Sequence, residues 1–341
     1  MRVALVTPIA FPSVRGNAVT VARLFHGLRV RGAEAEVLDL SRLAPDHLEA
    51  RLVGLAPGIV HAFHAFRGAP AARAWACARG IPLVVSLTGT DANIDLFHPE
   101  RRAETIASIR EARALIAFHE SIRTKVAREV PEMAGRIEII PQSVTLAEEW
   151  CDVPGLVPRS PGEVRFLLPA GIRKVKNVLF ALAPLGRLAV RHPLRLLIAG
   201  PVIEEDEGAR LVEALKGADW AAHLGEVPHA QMAALLDEVD VVVNSSLSEG
   251  GMANSVLEAM SRGKAVLAAD IEGNRSVIEP GVDGLLFADA ADFERQAERL
   301  VRDDGLRARL GAAAREKIAR LYPPAREIDA HLALYRRLLA R

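Results

Sequence analysis

Asn244-Ser245-Ser246-Leu247-Ser248-Glu249-Gly250-Gly251-Met252-Ala253-Asn254-Ser255-Val256-Leu257-Glu258-Ala259-Met260 is the most informative stretch of this 341-residue chain. An apolar run at residues 239–243 leads into it and reads as a buried strand. A small, polar, glycine-containing loop follows, and then a helix. The loop delivers Glu249 to the carboxyl end of the strand. The helix aims its first N–H groups, which lack partners within the helix, at the same place. The result is an anion site with a carboxylate beside it. Glu258 falls further along the helix and can face the same site. The alternative is that both glutamates are ordinary surface carboxylates of a helix start; the strand–loop–helix setting favours the site.

The same rhythm extends outward in both directions. Strands are expected at residues 3–7, 35–40, 59–63, 82–87, 114–118 and 136–140, and again at 164–169, 194–199, 222–225, 239–244, 265–268 and 284–287. Helix-like segments lie between them, such as 17–31 and 69–79. Gly32 and Gly80 stand where a left-handed helix stop belongs. Strands alternating with helices argue for parallel sheets with crossover helices. One sheet of about twelve strands exceeds what open sheets usually hold. At about 150 residues per domain, the length also favours two domains. The break falls at residues 152–162, which hold three prolines and two glycines without periodicity. The expected organisation is an N-terminal Rossmann-like domain over 1–155, a second over 163–322, and a final amphipathic helix within 323–341. In such sheets ligands bind beyond the carboxyl ends of the strands, and two sheets facing each other would make one deep interdomain cleft.

Half of the residues are hydrophobic and only 4% are aromatic. The core must therefore be built from Ala, Val, Leu and Ile, as suits buried parallel strands. Lys and Arg number 43 and so do Asp and Glu, so no global field gathers nucleic acid or an anionic membrane. A peripheral membrane contact is left open. The two cysteines, Cys77 and Cys151, read as free thiols of a reducing compartment. The apolar start at residues 3–6 is too short for a signal peptide, and no span of about 18 apolar residues occurs. A cytoplasmic protein is expected. No His/Cys/Asp cluster has metal-ligand spacing, and no phosphate loop with Gly-Lys-Ser or Gly-Lys-Thr is present. Neither a metal nor a cofactor is expected.

A second stretch, Ala170-Gly171-Ile172-Arg173-Lys174-Val175-Lys176-Asn177, also lies between a strand and a helix. Arg173 and Lys176 could converge on one phosphate pair, Arg as a fork and Lys as a point charge. Lys174 reads as solvated. Val60-His61-Ala62-Phe63-His64-Ala65-Phe66-Arg67-Gly68 follows the third strand. His61 stands equally as a cleft ligand or as a satisfied structural histidine; His64 and Arg67 are better suited to acceptor contact. His119, Glu120 and Ser121 read as a helix start, and His223 and His229 as structural.

Taken together, the strand–Glu–glycine loop–helix–Glu unit and the upstream Arg/Lys loop resemble the donor site of glycosyltransferase family four. Other landmarks agree: Ile198-Ala199-Gly200-Pro201, Leu224-Gly225-Glu226-Val227-Pro228 and Pro280-Gly281-Val282-Asp283-Gly284-Leu285-Leu286-Phe287. The ending Tyr335-Arg336-Arg337-Leu338-Leu339 is similar to the family's last helix, which crosses back to the N-terminal domain. Within the family, Gly16-Asn17-Ala18-Val19-Thr20 and Gly89-Thr90-Asp91 bring the chain nearest to the "glycosyltransferase one domain containing" proteins. Selenosugar synthases share several of these pieces. The resemblance implies the GT-B fold and a metal-independent, retaining transfer from a nucleotide sugar, with uridine favoured.

It further implies roles for individual residues. Arg173, Lys176 and Glu249 would carry catalysis, with Glu249 holding the hydroxyls of the transferred sugar. Gly16, Asn17, Gly171, Val227, Gly250, Gly251, Met252, Ala253 and Glu258 would bind the donor, Glu258 through its ribose. His61, His64, Arg67, Thr88 and Asp91 would bind the acceptor, whose identity stays open. Two positions depart from the family. Eight residues separate Glu249 from Glu258, one more than usual, and the extra residue is expected to bulge at Gly250-Gly251 by way of a positive φ. Thr88 stands where many relatives carry a histidine. The alternatives are a selenosugar synthase using a small anionic acceptor and an inactive nucleotide-sugar-binding protein.

Overall fold

The computed structural model describes residues 1–14, 16–146, 153, 155–249 and 251–340. It divides into two compact units. One comprises Met1–Ser143, Gly250–Met252 and Pro323–Arg341; the other comprises Val144–Glu249 and Ala253–Tyr322.

The first unit holds a six-stranded parallel sheet of order β2-β1-β3-β4-β5-β6. Its strands are β1 (Arg2–Thr7), β2 (Glu34–Asp39), β3 (Ile59–Phe63), β4 (Leu83–Ser86), β5 (Ala114–Ala117) and β6 (Ile137–Ile139). Each falls on an expected strand, with ends moved by at most one residue. Val3, Ala4, Leu5 and Val6 are all fully buried, because helices cover both faces of a parallel sheet. The crossover helix Gly16–Val30 starts one residue before the expected position and ends on Gly32, whose φ of 79° is the left-handed stop. Strand order reverses about β1, which lies between β2 and β3. The loops after β1 and β3 therefore open at the carboxyl edge of the sheet.

The helix Pro324–Leu339 closes this unit. Ile328 lies over Gly27 so closely that a Cβ there would come 2.4 Å from it. The guanidinium of Arg23 binds Glu327 at 2.7 Å, with both side chains nearly devoid of solvent. Glu327 also accepts from the Ser143 amide at 3.1 Å and from the Ser143 hydroxyl. Burial raises the Glu327 carboxyl, but Arg23 and these hydrogen bonds outweigh it and hold the group below its usual range.

The second unit holds a parallel sheet of order β12-β11-β10-β7-β8-β9. The strands are β7 (Val164–Pro169), β8 (Leu194–Ala199), β9 (Ala221–His223), β10 (Val241–Asn244), β11 (Ala265–Ala269) and β12 (Leu285–Phe287). All six again fall on expected runs. Three of its phenylalanines form a cluster, where Phe180 stacks on Phe287 at 5.3 Å and Phe293 meets Phe287 edge-on at 4.9 Å. Among the described residues, no helix is long and apolar enough to cross a membrane.

Candidate functional site

Lys176 and Glu249 meet because their loops leave neighbouring strands. β7 and β10 pair at the centre of the second sheet, with Phe166 opposite Val241 and Leu167 opposite Val242. The segments that follow them start side by side at the carboxyl edge. Two hydrogen bonds hold them together. The Leu247 amide donates to the Val175 carbonyl at 2.9 Å, and the Ser245 hydroxyl donates to the Lys176 carbonyl at 3.1 Å. Asn177 turns the first loop away with a left-handed φ of 48°.

The Lys176 ammonium then reaches Glu249 Oε1 in a hydrogen-bonded ion pair. The same oxygen accepts from the Ser246 hydroxyl at 2.6 Å and from Asn244 Nδ2 at 3.3 Å. Burial pushes the Glu249 carboxyl up. Lys176 and the hydrogen bonds more than offset it, so the group is held below the usual carboxylate range and is ionised at neutral pH. Asn244 is itself fixed: its Oδ1 accepts from the Ser246 amide at 3.1 Å and from Asn274 Nδ2 at 3.4 Å. The sequence reading gave neither asparagine a role. The available signal was a polar residue ending a run of buried valines; Asn274 had none, since it comes from the loop after the next strand.

Arg173 begins the short turn Lys174–Lys176 in extended conformation and is partly buried. Lys174 is exposed, as expected, and its amide donates to Glu204 at 2.8 Å. Gly171 packs against Ile203, whose Cδ1 would lie 2.4 Å from a Cβ there. Val227, Met252 and Ala253 are buried, and Ala253 caps the helix Asn254–Ser261 with extended backbone.

Gly250 lies outside the described residues. Gly251 does not take the left-handed conformation that the bulge was expected to need. Its requirement is space: a Cβ would come 2.6 Å from the Phe118 ring and 3.2 Å from Gln142 Oε1. Glu258 is 6% exposed, and its Oε1 lies 2.9 Å from His229 Nε2. His229, expected to serve structure, is bonded to Glu258, a carboxylate of the candidate donor site. His223 does serve structure, bonding the Gly200 carbonyl at 2.8 Å.

In the first unit three of the expected acceptor residues, His61, His64 and Asp91, are buried. His61 is fully buried within β3. Its Nδ1 lies 2.6 Å from the Tyr335 hydroxyl and its Nε2 lies 2.8 Å from Ser86 Oγ, so no ring nitrogen is left for an acceptor. Burial, reinforced by nearby His331, pushes His61 well below the usual histidine value and keeps it neutral. Asp91 is also fully buried. Oδ2 accepts from the Ala65 and Thr88 amides at 2.9 and 3.2 Å, and Oδ1 accepts from the Gly89 and Ala92 amides at 2.7 and 3.0 Å. The carboxylate ties the loop after β3 to the loop after β4.

His64 has a left-handed φ of 77°, and its Nδ1 accepts from the Phe66 and Arg67 amides. That leaves Nε2 protonated and donating to Thr90 Oγ1 at 2.8 Å. His64 and Asp91 thus hold the loops after β3 and β4, while His61 sits in the core of the sheet. Arg67 is exposed and Thr88 partly so. Gly16 opens its helix in the exposed position, and Asn17 donates to Thr7 Oγ1 at 2.7 Å. Among the described residues, no group of three or more His, Cys, Asp and Glu side chains is placed to hold a metal ion.

Comparison with known proteins accords with this geometry. Residues 164–303 match the family model of glycosyl transferases group 1. Glycosyltransferase 1 domain-containing protein 1 of Xenopus tropicalis is 27% identical over 317 residues, covering 89% of each chain. Phosphatidyl-myo-inositol mannosyltransferase of Mycolicibacterium smegmatis is 31% identical over 220 residues, 60% of this chain and 54% of that protein. The solved sucrose-phosphate synthase of Thermosynechococcus elongatus has a TM-score of 0.82 at 16% identity, covering 100% of this chain and 99% of its own. HepE of Anabaena in complex with UDP and glucose has a TM-score of 0.76 at 16% identity, covering 98% of each chain. The chain is thus a glycosyltransferase of the GT-B fold. Residues 164–303 are its group 1 glycosyltransferase domain, and they contain Arg173, Lys176, Glu249 and Glu258.

Proposed function

We propose that the chain is a retaining glycosyltransferase whose second unit holds a UDP-sugar. The observation that carries this reading is the Lys176–Glu249 pair, formed by two loops that leave paired central strands. When the sugar–phosphate bond breaks, the nucleoside diphosphate gains negative charge and the sugar becomes oxocarbenium-like. Arg173 and the Lys176 ammonium supply positive charge to the departing phosphates, the kind of preorganised electrostatics that usually dominates. An ammonium has three donors, so Lys176 can serve phosphate and Glu249 together.

Glu249 is ionised and takes Lys176, Ser246 and Asn244 on one oxygen. It acts as a hydrogen-bond acceptor for sugar hydroxyls and not as a nucleophile, which leaves a front-face substitution with retention. Glu258 accepts from the ribose. Charge stabilisation by side chains and helix N–H groups makes the transfer metal-independent. For the acceptor we propose Arg67 and Thr88, the members of that set that reach solvent. Cys77, an exposed free thiol, suits a reducing, cytoplasmic setting.

The test uses slow donor hydrolysis, which needs no acceptor. UDP should stabilise the protein against heat, since a ligand of the native state adds stability by mass action. The sugar released from an α-linked UDP-sugar should appear first as the α-anomer by NMR. Release of the β-anomer, or no binding of UDP or any UDP-sugar, overturns the proposal.

A further inference from the structure

Glu258 sits in the middle of the helix Asn254–Ser261, with its side chain only 8% exposed. A carboxylate so placed needs a hydrogen-bond donor. His229 supplies one from the turn His229–Gln231, which follows β9 by way of Val227 and Pro228. A ring nitrogen facing a carboxylate carries the proton, so Nε2 donates whether the imidazole is neutral or charged. The terminal torsion of an unrestrained glutamate is broad. A bond to Oε1 removes that freedom and leaves Oε2 with one direction in which to accept.

We propose that His229 is a positioning residue for the donor's ribose. It fixes Glu258 Oε1 so that Oε2 accepts from the vicinal hydroxyls, and it thereby makes the site selective for ribonucleoside diphosphates over those lacking the diol. This rests on the reading of the second unit as the donor site. His229 touches neither the sugar nor the phosphates and acts only through Glu258. Its side chain is 32% exposed, so removal opens no deep cavity.

The experiment compares calorimetric binding of UDP and 2′,3′-dideoxy-UDP to the full chain. His229→Ala should weaken UDP about tenfold, in keeping with loss of a charged hydrogen bond, and should leave the dideoxy nucleotide nearly unchanged. His229→Phe, which keeps the ring but not the donor, should behave alike and guards against misfolding of the alanine variant. His229→Gln, which retains an N–H donor, should recover much of the affinity. In a Glu258→Ala background, loss of His229 should have no further effect. Equal weakening of both nucleotides would show a merely structural histidine and overturn the proposal. If Glu258→Ala weakens UDP while His229→Ala and His229→Phe do not, the positioning role fails and the donor site stands. If Glu258→Ala leaves UDP affinity intact, the ribose assignment fails and the role of His229 with it.

Discussion

Replacing Lys176 with Met removes the ammonium and keeps most of the apolar stem. Glu249 Oε1 then retains the Ser246 hydroxyl at 2.6 Å and the Asn244 amide at 3.3 Å. The Lys176 and Glu249 side chains are 18% and 12% exposed, so the pair is neither a surface pair nor fully dry. Losing one partner should cost about 1–3 kcal/mol of stability, between surface pairs at about 0–1 and buried ones at about 3–5. Loss of one preorganised charge at the leaving group should lower turnover about 10²–10³-fold, or about 2.7–4 kcal/mol of barrier.

A third effect separates the pair from a simple phosphate ligand. Burial raises the Glu249 carboxyl, and the Lys176 charge is the largest influence opposing it. Without the lysine the carboxyl should climb from below its ordinary 4.5 toward or above that value. In the proposed mechanism Glu249 works ionised, so activity should fall as pH drops through its pKa. The native acid limb should lie below pH 4.5, and the limb of the variant should move upward. The assay is UDP release from UDP-glucose between about pH 4 and 8, with melting temperature measured alongside. Turnover within about threefold of native with an unmoved acid limb would refute the reasoning.

Arg23→Ala should destabilise the first unit by about 3–5 kcal/mol, because it strands Glu327 in a nearly solvent-free site; denaturant melts check this, and replacing both partners by Met and Leu should recover most of the loss. His61 and His331 both have lowered pKa values, burial being the main cause. Above about pH 6.5 they are neutral in folded and unfolded chains alike. Below it the unfolded chain takes up protons that the folded one refuses, so stability should fall by up to about 2.7 kcal/mol per pH unit for the two, and flat stability from pH 7 to 5 would contradict their burial. Gly68→Ala places a Cβ 2.0 Å from the Phe63 carbonyl oxygen, a backbone atom that cannot swing away; a melt showing a loss of less than about 1 kcal/mol would mean the loop relaxes. EDTA should leave donor hydrolysis intact, and full loss restored by magnesium or manganese would show a metal in the reaction.

Much of the fold was legible because parallel strands announce themselves locally. Short apolar runs such as 164–169 and 194–199, each followed by a helical period, match β7 and β8 to the residue. Less of the site was legible. Lys176 and Glu249 were readable as members of loops after strands. Their contact was not, since it depends on β7 pairing with β10 across an intervening β8 and β9. Gly251 was read as a conformational glycine, whereas the structure makes it a steric one against Phe118.

What the amino-acid sequence determined by itself was the alternation of strands and helices, the left-handed stops at Gly32 and Gly80, and the two short motifs that could serve a phosphate and a sugar. Periodicity and backbone preference act within a few residues, so they are written in the local order of the chain. Which side of a strand a histidine faces, and what covers it, is decided by partners far away. His61 stood equally as ligand or structural histidine; it is a core residue because Tyr335, 274 positions later, bonds its ring. Asp91 was expected at the acceptor; the structure closes the amide groups of two loop ends around it. The partner of His229 is likewise set by packing of the second unit, which brings it to Glu258, 29 positions on. A buried polar group takes whichever complementary partner the packing supplies, and that choice exists only once the sheets and helices are assembled.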